Sequence, residues 1–198
     1  MILVIDNYDS FVHNLARCLR VAGAETMVVR NDQIDVAGVI ELAPQAVVIG
    51  PGPGGPADSG VSMAIARELI DDMPMMGVCL GLQVIGEALG ARIVRAQEPM
   101  HGRTSQVKHD GSWLFEGIDD PFQACRYHSL ALDPEDLPST VRPIAWEESG
   151  VIMAAEGAEA PWCGVQFHPE AILTESGDRL LQNFVDRTRR GSSSLALQ

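Results

Sequence analysis

Residues 77–83, GVCLGLQ, set Cys79 between Gly77 and Gly81 at the end of a short apolar run, MPMMGV. Glycines at those two positions permit a cramped turn from strand into helix that pushes the middle side chain out over a sheet, the arrangement of a nucleophile elbow. A helix N-terminus there favours the nucleophilic thiolate and aims the Leu80 N–H where an oxyanion would form. Standing alone, a cysteine in an apolar stretch reads as inert packing, and only its glycines argue for reactivity. A thiolate also needs a proton shuttle. GVQFHPE, residues 164–170, offers His168, with Glu170 two residues on to orient it. Pro169 keeps His168 out of the helical region, extended at a strand end. By itself His-Pro-Glu is an ordinary turn; beside Cys79 it completes a triad. A third stretch, GPGPGGP (Gly50 to Pro56), forbids regular structure. It is either a surface turn or a loop in which Gly52 and Gly54 let backbone approach a substrate and supply a second oxyanion donor. It lacks the lysine and serine or threonine of a nucleotide-binding P-loop, which argues against phosphate binding.

Such groups must be carried by a scaffold. ILVID (Ile2 to Asp6), TMVVR (Thr26 to Arg30), QAVVIG (Gln45 to Gly50) and PMMGV (Pro74 to Val78) are nearly continuous apolar runs, as expected of parallel strands buried on both faces. Phe11, Leu15, Leu19 and Ala22 recur at helical spacing between them, as do Val61, Ile65 and Leu69, then Val84 and Ala88. Alternating strand and helix predicts an α/β, flavodoxin-like doubly wound sheet, whose ligands bind outside the carboxyl ends of the strands. Both Cys79 and the glycine loop leave such ends. After Gly90 the texture shifts to shorter alternating runs such as RIVRAQ and WCGVQF, which predict a mixed or antiparallel extension of the same sheet. A last helix is expected from about Ser176 to Arg189, with Leu180, Leu181, Phe184 and Val185 as its buried stripe, and a frayed tail over 190–198.

Composition bounds the function. The 198 residues, 46% of them apolar, suit one ordinary core, and 27 acidic against 14 basic residues give a formal charge of −13 that repels nucleic acid and anionic membranes. No apolar run reaches the roughly 18 residues of a membrane span, and the N-terminus lacks the basic start of a signal peptide, so the chain reads as cytoplasmic. Cys18, Cys79, Cys125 and Cys163 show neither zinc-site pairing nor disulfide density, and all but Cys79 read as small core residues. His13, His109 and His128 have no metal-ligand partner at suitable spacing and read as surface or helix-face residues. Trp113, Trp146 and Trp162 read as core or pocket walls.

Taken together, GVCLGLQ, GVQFHPE and PGPGGP resemble the class I (triad-type) glutamine amidotransferases. DNYDSF (Asp6 to Phe11), MHGRTS (Met100 to Ser105) and RYHSL (Arg126 to Leu130) resemble the narrower branch serving chorismate-using synthases, anthranilate synthase component II and the aminodeoxychorismate synthase glutaminase. The resemblance covers residues 1–190, one glutamine amidotransferase domain, and leaves 191–198 as a flexible tail. It implies that Cys79 attacks the side-chain amide of L-glutamine, that His168 protonates the departing ammonia and then activates water, and that Glu170 orients His168. It further implies an oxyanion hole from the Leu80 and Gly54 N–H groups, and a glutamine pocket lined by Gly52, Pro53, Gln83, Ser129 and Leu130. No metal or cofactor is implied for this chain, whereas the partner synthase is expected to need Mg.

Two departures stand out: Ala171 follows His-Pro-Glu where the family usually carries serine, and Leu82 stands where histidine is frequent. Neither lies in the triad. The chain is too short to hold a chorismate site as well, so a larger chorismate-binding synthase subunit is implied, first that of anthranilate synthase and alternatively that of aminodeoxychorismate synthase or both. DNYDSF, PADSG (Pro56 to Gly60) and MHGRTS are its candidate contacts. Each has a local alternative: Ser10 as cap of the first helix, Asp58 and Ser59 as start of the third, and His101-Gly102 as a turn. Two other functions compete, a stand-alone Cys-His hydrolase of γ-glutamyl compounds and a non-catalytic regulatory binder.

Overall fold

A computed structural model describes residues 1–96 and 98–195, the last five by backbone alone. Its main sheet has nine strands in the order β2-β1-β3-β4-β11-β10-β9-β6-β7. The parallel half comprises β1 (Ile2–Asp6), β2 (Thr26–Arg30), β3 (Ala46–Ile49), β4 (Met75–Val78) and β11 (Trp162–Val165). The antiparallel half adds β10 (Ile152–Gly157), β9 (Val141–Glu147), β6 (Arg103–His109) and β7 (Phe122–Arg126). A separate ribbon pairs β5 (Ile93–Arg95) with β8 (Leu130–Leu132). The expected parallel sheet with an antiparallel extension is therefore present.

Every residue of β1, β3, β4 and β11 is buried, in keeping with their apolar runs. The run 26–30 was expected to be buried likewise but is only half covered, because β2 is the edge strand and pairs with β1 alone.

Helices cover both faces. On one side α1 (Val12–Val21) and α5 (Gly177–Leu195) bury Leu15, Leu19, Leu180, Leu181, Phe184 and Val185 against Val4, Val48 and Val78. On the other, α3 (Ser62–Leu69) and α4 (Leu80–Ala88) bury Ile65, Leu82 and Ile85 against Leu3, Ile5 and Ile49. Each such aliphatic side chain contributes about 1.5–3 kcal/mol. A short helix absent from the periodicity, α2 (Val36–Leu42), buries only Val39 and is capped by Asp35, whose carboxylate accepts from the Gly38 N–H at 2.8 Å.

Three helix boundaries differ from expectation. Phe11 precedes α1 at 39% exposure instead of joining its stripe, and Ser10 does not cap it; Asp9 accepts from the Phe11 N–H at 2.7 Å instead. Asp58 and Ser59 close a 3-10 turn (Pro56–Asp58) before α3 starts at Ser62. Finally, α5 runs to Leu195, past the expected end at Arg189. The frayed tail expected over 190–198 thus falls partly on this helix, and its last residues, 196–198, lie outside the described residues.

Candidate active site

The elbow between β4 and α4 forms as the glycines require. Cys79 has φ 54° and ψ −102°, a conformation whose strain costs roughly 1–3 kcal/mol. It persists because packing holds it: a Cβ on Gly81 would sit 2.0 Å from the Ile49 carbonyl oxygen, and one on Gly77 would sit 2.5 Å from the Gly81 backbone. Cys79 donates its N–H to the Val165 carbonyl at 2.8 Å, tying the nucleophile position to β11.

β11 leads directly to His168. Its N–H donates to the Cys125 carbonyl at 3.0 Å, and its carbonyl accepts from the Thr174 hydroxyl at 2.6 Å. Nδ1 bonds Glu170 Oε1 at 2.7 Å, with both side chains at most 3% exposed. Nε2 is buried with no partner of ordinary hydrogen-bond geometry. Burial alone would lower the pKa of His168, but its interactions with Cys79 and Glu170 outweigh burial and raise it to about 10. The ring is therefore an imidazolium at neutral pH, and positive charge beside a sulfur stabilises negative charge on it. Phe11 and Tyr127 stand edge-on to this ring, at centroid distances of 6.2 and 5.2 Å, screening one flank from water.

The glycine loop meets the elbow on one side and β8 on the other. A Cβ on Gly52 would lie 2.8 Å from Leu80 Cδ2, and one on Gly55 would lie 3.3 Å from Leu130 Cδ1. Gly54 has φ +75°, and Asp58 locks the turn by accepting from the Gly55 N–H at 3.0 Å. Pro53 and Gly54 are exposed, and among the described residues neither the Leu80 nor the Gly54 N–H donates to a protein acceptor. Gln83 Nε2 donates to the Leu130 carbonyl at 2.9 Å, and the preceding Ser129 accepts from the Ala96 N–H at its carbonyl at 2.9 Å. Gly52 thus lies against Leu80, the residue after Cys79, and Leu130 links Gly55 of the loop to Gln83 of α4.

Several buried residues here were missed. Asn7 is 3% exposed; it donates to the Gly50 carbonyl and accepts from Asn31 and Ser62, clamping the start of the glycine loop to two neighbouring elements. His128, expected on the surface, is buried between the Arg126 side chain and the Leu130 carbonyl. Its two-residue spacing from Arg126, which puts alternate residues of an extended segment on one face, was the available signal. Gln166, two residues before His168, is fully buried with Nε2 3.7 Å from Cys79 Sγ.

Other expectations sort cleanly. Cys125 and Cys163 are buried, and Cys18 is half-buried, packed against the core at its edge. His13 is exposed, and His109 stacks on Phe115 at 4.6 Å. Leu82 is fully buried against β11, near Gly164, and the Ala171 N–H donates to the His168 carbonyl at 3.2 Å. Gly102 takes φ +70° in the expected turn. Trp113 and Trp162 wall a cavity of about 500 Å³ that opens at the amino ends of β4 and β11, away from Cys79.

The family model for glutamine amidotransferase class-I matches residues 3–188 of the chain. Anthranilate synthase component 2 of Pyropia yezoensis is 45% identical over 94% of this chain and 99% of its own. Aminodeoxychorismate synthase component 2 of Klebsiella aerogenes is 48% identical over 94% and 100%. Aminodeoxychorismate/anthranilate synthase component 2 of Bacillus subtilis (strain 168) is 45% identical over 96% and 98%. The crystal structure of a putative GMP synthase subunit from Thermoplasma acidophilum superposes with a TM-score of 0.88 at 25% identity, covering 98% of this chain and 96% of that one.

Proposed function

This chain belongs to the class-I glutamine amidotransferases, and on that premise we propose that Cys79, His168 and Glu170 hydrolyse L-glutamine and feed the ammonia to a larger chorismate-binding synthase subunit. The observation that carries the reading is the buried series from the elbow cysteine to the His168 ring to the Glu170 carboxylate. Cys79 Sγ attacks the side-chain amide carbon, forming a C–S bond while negative charge moves to the amide oxygen. The Leu80 and Gly54 N–H groups receive that charge, each such donor contributing on the order of 10²–10³ in rate. His168 gives its proton to the amide nitrogen, the C–N bond breaks, and ammonia leaves a γ-glutamyl thioester. Water then attacks the thioester, yielding its proton to His168, while Glu170 holds the ring in place. Gly52, Pro53, Gln83, Ser129 and Leu130 seat the substrate's amino-acid end. None of these steps calls for a metal or cofactor in this chain.

Ammonia in bulk water at neutral pH is mostly ammonium, a poor nucleophile, so delivering it to an adjoining subunit keeps it reactive. An apolar rim supports docking at this mouth: Phe11 and Tyr127 are exposed beside His168, and Ile172 and Leu173 are 99% and 47% exposed just beyond it. All three motifs considered as contacts leave exposed residues, Tyr8 and Phe11 in DNYDSF, His101 and Arg103 in MHGRTS, and Ala57 and Asp58 in PADSG, where Ser59 is fully buried and bonded to the Pro56 carbonyl. The first reading of the partner is an anthranilate synthase subunit; relatives named for aminodeoxychorismate synthase or for both, at 48% and 45% identity, support the second, or service to both, equally. No helix among the described residues is long and apolar enough to cross a membrane, which accords with a cytoplasmic role.

The test is to mix the chain with each synthase partner and identify the product made from chorismate and glutamine. Cys79→Ser is expected to abolish the glutamine-dependent reaction while leaving the ammonia-dependent one intact. Survival of both would remove Cys79 as nucleophile, and full glutaminase turnover indifferent to either partner would favour a stand-alone hydrolase.

A further inference from the structure

A line of buried polar groups leads from the antiparallel half of the sheet to the nucleophile. Arg126 is 1% exposed, with Nη1 3.0 Å from Ser105 Oγ and 3.6 Å from Glu147 Oε2. Its Nε donates to His128 Nε2 at 3.0 Å. A guanidinium can only donate, so His128 Nε2 must accept and the proton of the neutral ring must sit on Nδ1. Burial and the Arg126 charge lower the His128 pKa to about 4, which keeps that ring neutral. Nδ1 then donates to the Leu130 carbonyl at 2.9 Å, and the same carbonyl accepts from Gln83 Nε2 at 2.9 Å. A carbonyl can only accept, so the Gln83 amide is held with nitrogen inward, where it donates also to Gln166 Oε1 at 3.1 Å. Gln166 is left with one way to face: Nε2 toward Cys79 Sγ, at 3.7 Å.

We propose that Gln166 is a catalytic residue, a neutral N–H donor to the nucleophilic sulfur, and that Arg126, His128 and Gln83 are positioning residues that fix which end of its amide the sulfur meets. The proposal rests on Cys79 being the nucleophile. Whenever the sulfur carries negative charge, the donor stabilises it alongside His168. Its second use comes when water has added to the thioester carbon: the C–S bond breaks, the electron pair returns to Sγ, and the Gln166 N–H receives that charge as glutamate departs. His168 contributes charge and protons, whereas Gln166 contributes a fixed dipole that has no proton to lose.

The informative variant is Gln166→Met, similar in length and volume but without a donor. The readout is the pH dependence of Cys79 alkylation by iodoacetamide, followed on the Cys79 peptide by mass spectrometry. His168, and Glu170 through it, are the ionisable groups placed against the thiol, and both are retained in the variant. The midpoint is expected to rise by about one pH unit or more, with about tenfold slower alkylation below it. His128→Gln, which can both accept from Arg126 and donate to Leu130, should keep the wild-type profile, while His128→Leu should shift it as Gln166→Met does. A profile for Gln166→Met that overlays the wild type overturns the proposal. If that variant does not fold, the wild-type protein decides: the side-chain amide resonance of Gln166 in ¹⁵N-glutamine-labelled chain should move when Cys79 is alkylated, and a resonance that stays put overturns the proposal. Loss of glutaminase in Cys79→Ser together with an unmoved Gln166→Met profile would reject the donor and leave the nucleophile standing.

Discussion

Replacing Glu170 by Gln preserves the side chain's size and removes the charge 2.7 Å from His168 Nδ1. Because the folded-state pKa of His168 is raised from 6.5 to about 10, the folded chain binds that proton more tightly than the unfolded chain does, by on the order of 5 kcal/mol. The sign follows from the direction of the shift: this stability is fully present below the unfolded value and is lost as pH climbs through about 10. Cys79 is the first source of the rise and Glu170 the next; for the latter, two unit charges about 4 Å apart at an effective dielectric constant of about 20 attract by about 4 kcal/mol. Glu170→Gln is therefore expected to be less stable than wild type by about 3–4 kcal/mol near neutral pH, with the gap closing to about 1 kcal/mol or less by about pH 10.5. Urea unfolding followed by tryptophan fluorescence at a series of pH values measures it, and taking the difference between the two proteins cancels every group they share. A gap that stays level from neutral pH to the alkaline end would refute the imidazolium and the mechanism built on it.

Two further outcomes test the packing and the mouth of the site. Gly81→Ala must push its methyl against the Ile49 carbonyl; calorimetry should show a loss of at least about 2 kcal/mol together with the loss of glutaminase, and a wild-type melt would contradict the elbow contact. Ile172→Ser should leave the free chain's melting within about 0.5 kcal/mol of wild type, because the side chain is 99% exposed. The same change should weaken association with the synthase partner about tenfold or more by titration calorimetry, and unaltered association would move the docking surface elsewhere.

The parts of this fold that were legible in the sequence are those encoded locally. Apolar runs marked β1, β3 and β4 because strands buried on both faces have no other composition open to them. Gly77 and Gly81 marked the elbow because any side chain there would strike backbone. Pairing Cys79 with His168 needed only the rule that reactive groups gather at the carboxyl ends of parallel strands. The exposure of β2 was not legible, since a run such as TMVVR does not say which strand will end the sheet. Nor were Asn7 and Gln166. A buried polar residue is defined by its partners, and theirs come from distant segments: Asn7 meets Gly50 and Ser62, and Gln166 meets Gln83.

Cys79 and His168, the proposed nucleophile and base, follow adjacent parallel strands, β4 and β11, that are separated by nearly half the chain. Everything that builds the antiparallel half is made between them. A ribosome therefore completes the thiol long before the residues that activate it, and β11 can slot beside β4 only after β5 to β10 have emerged. Until then Cys79 is an ordinary thiol on an unfinished sheet edge. On the proposed mechanism the growing chain therefore lacks its His168–Glu170 pair until β11 has been made.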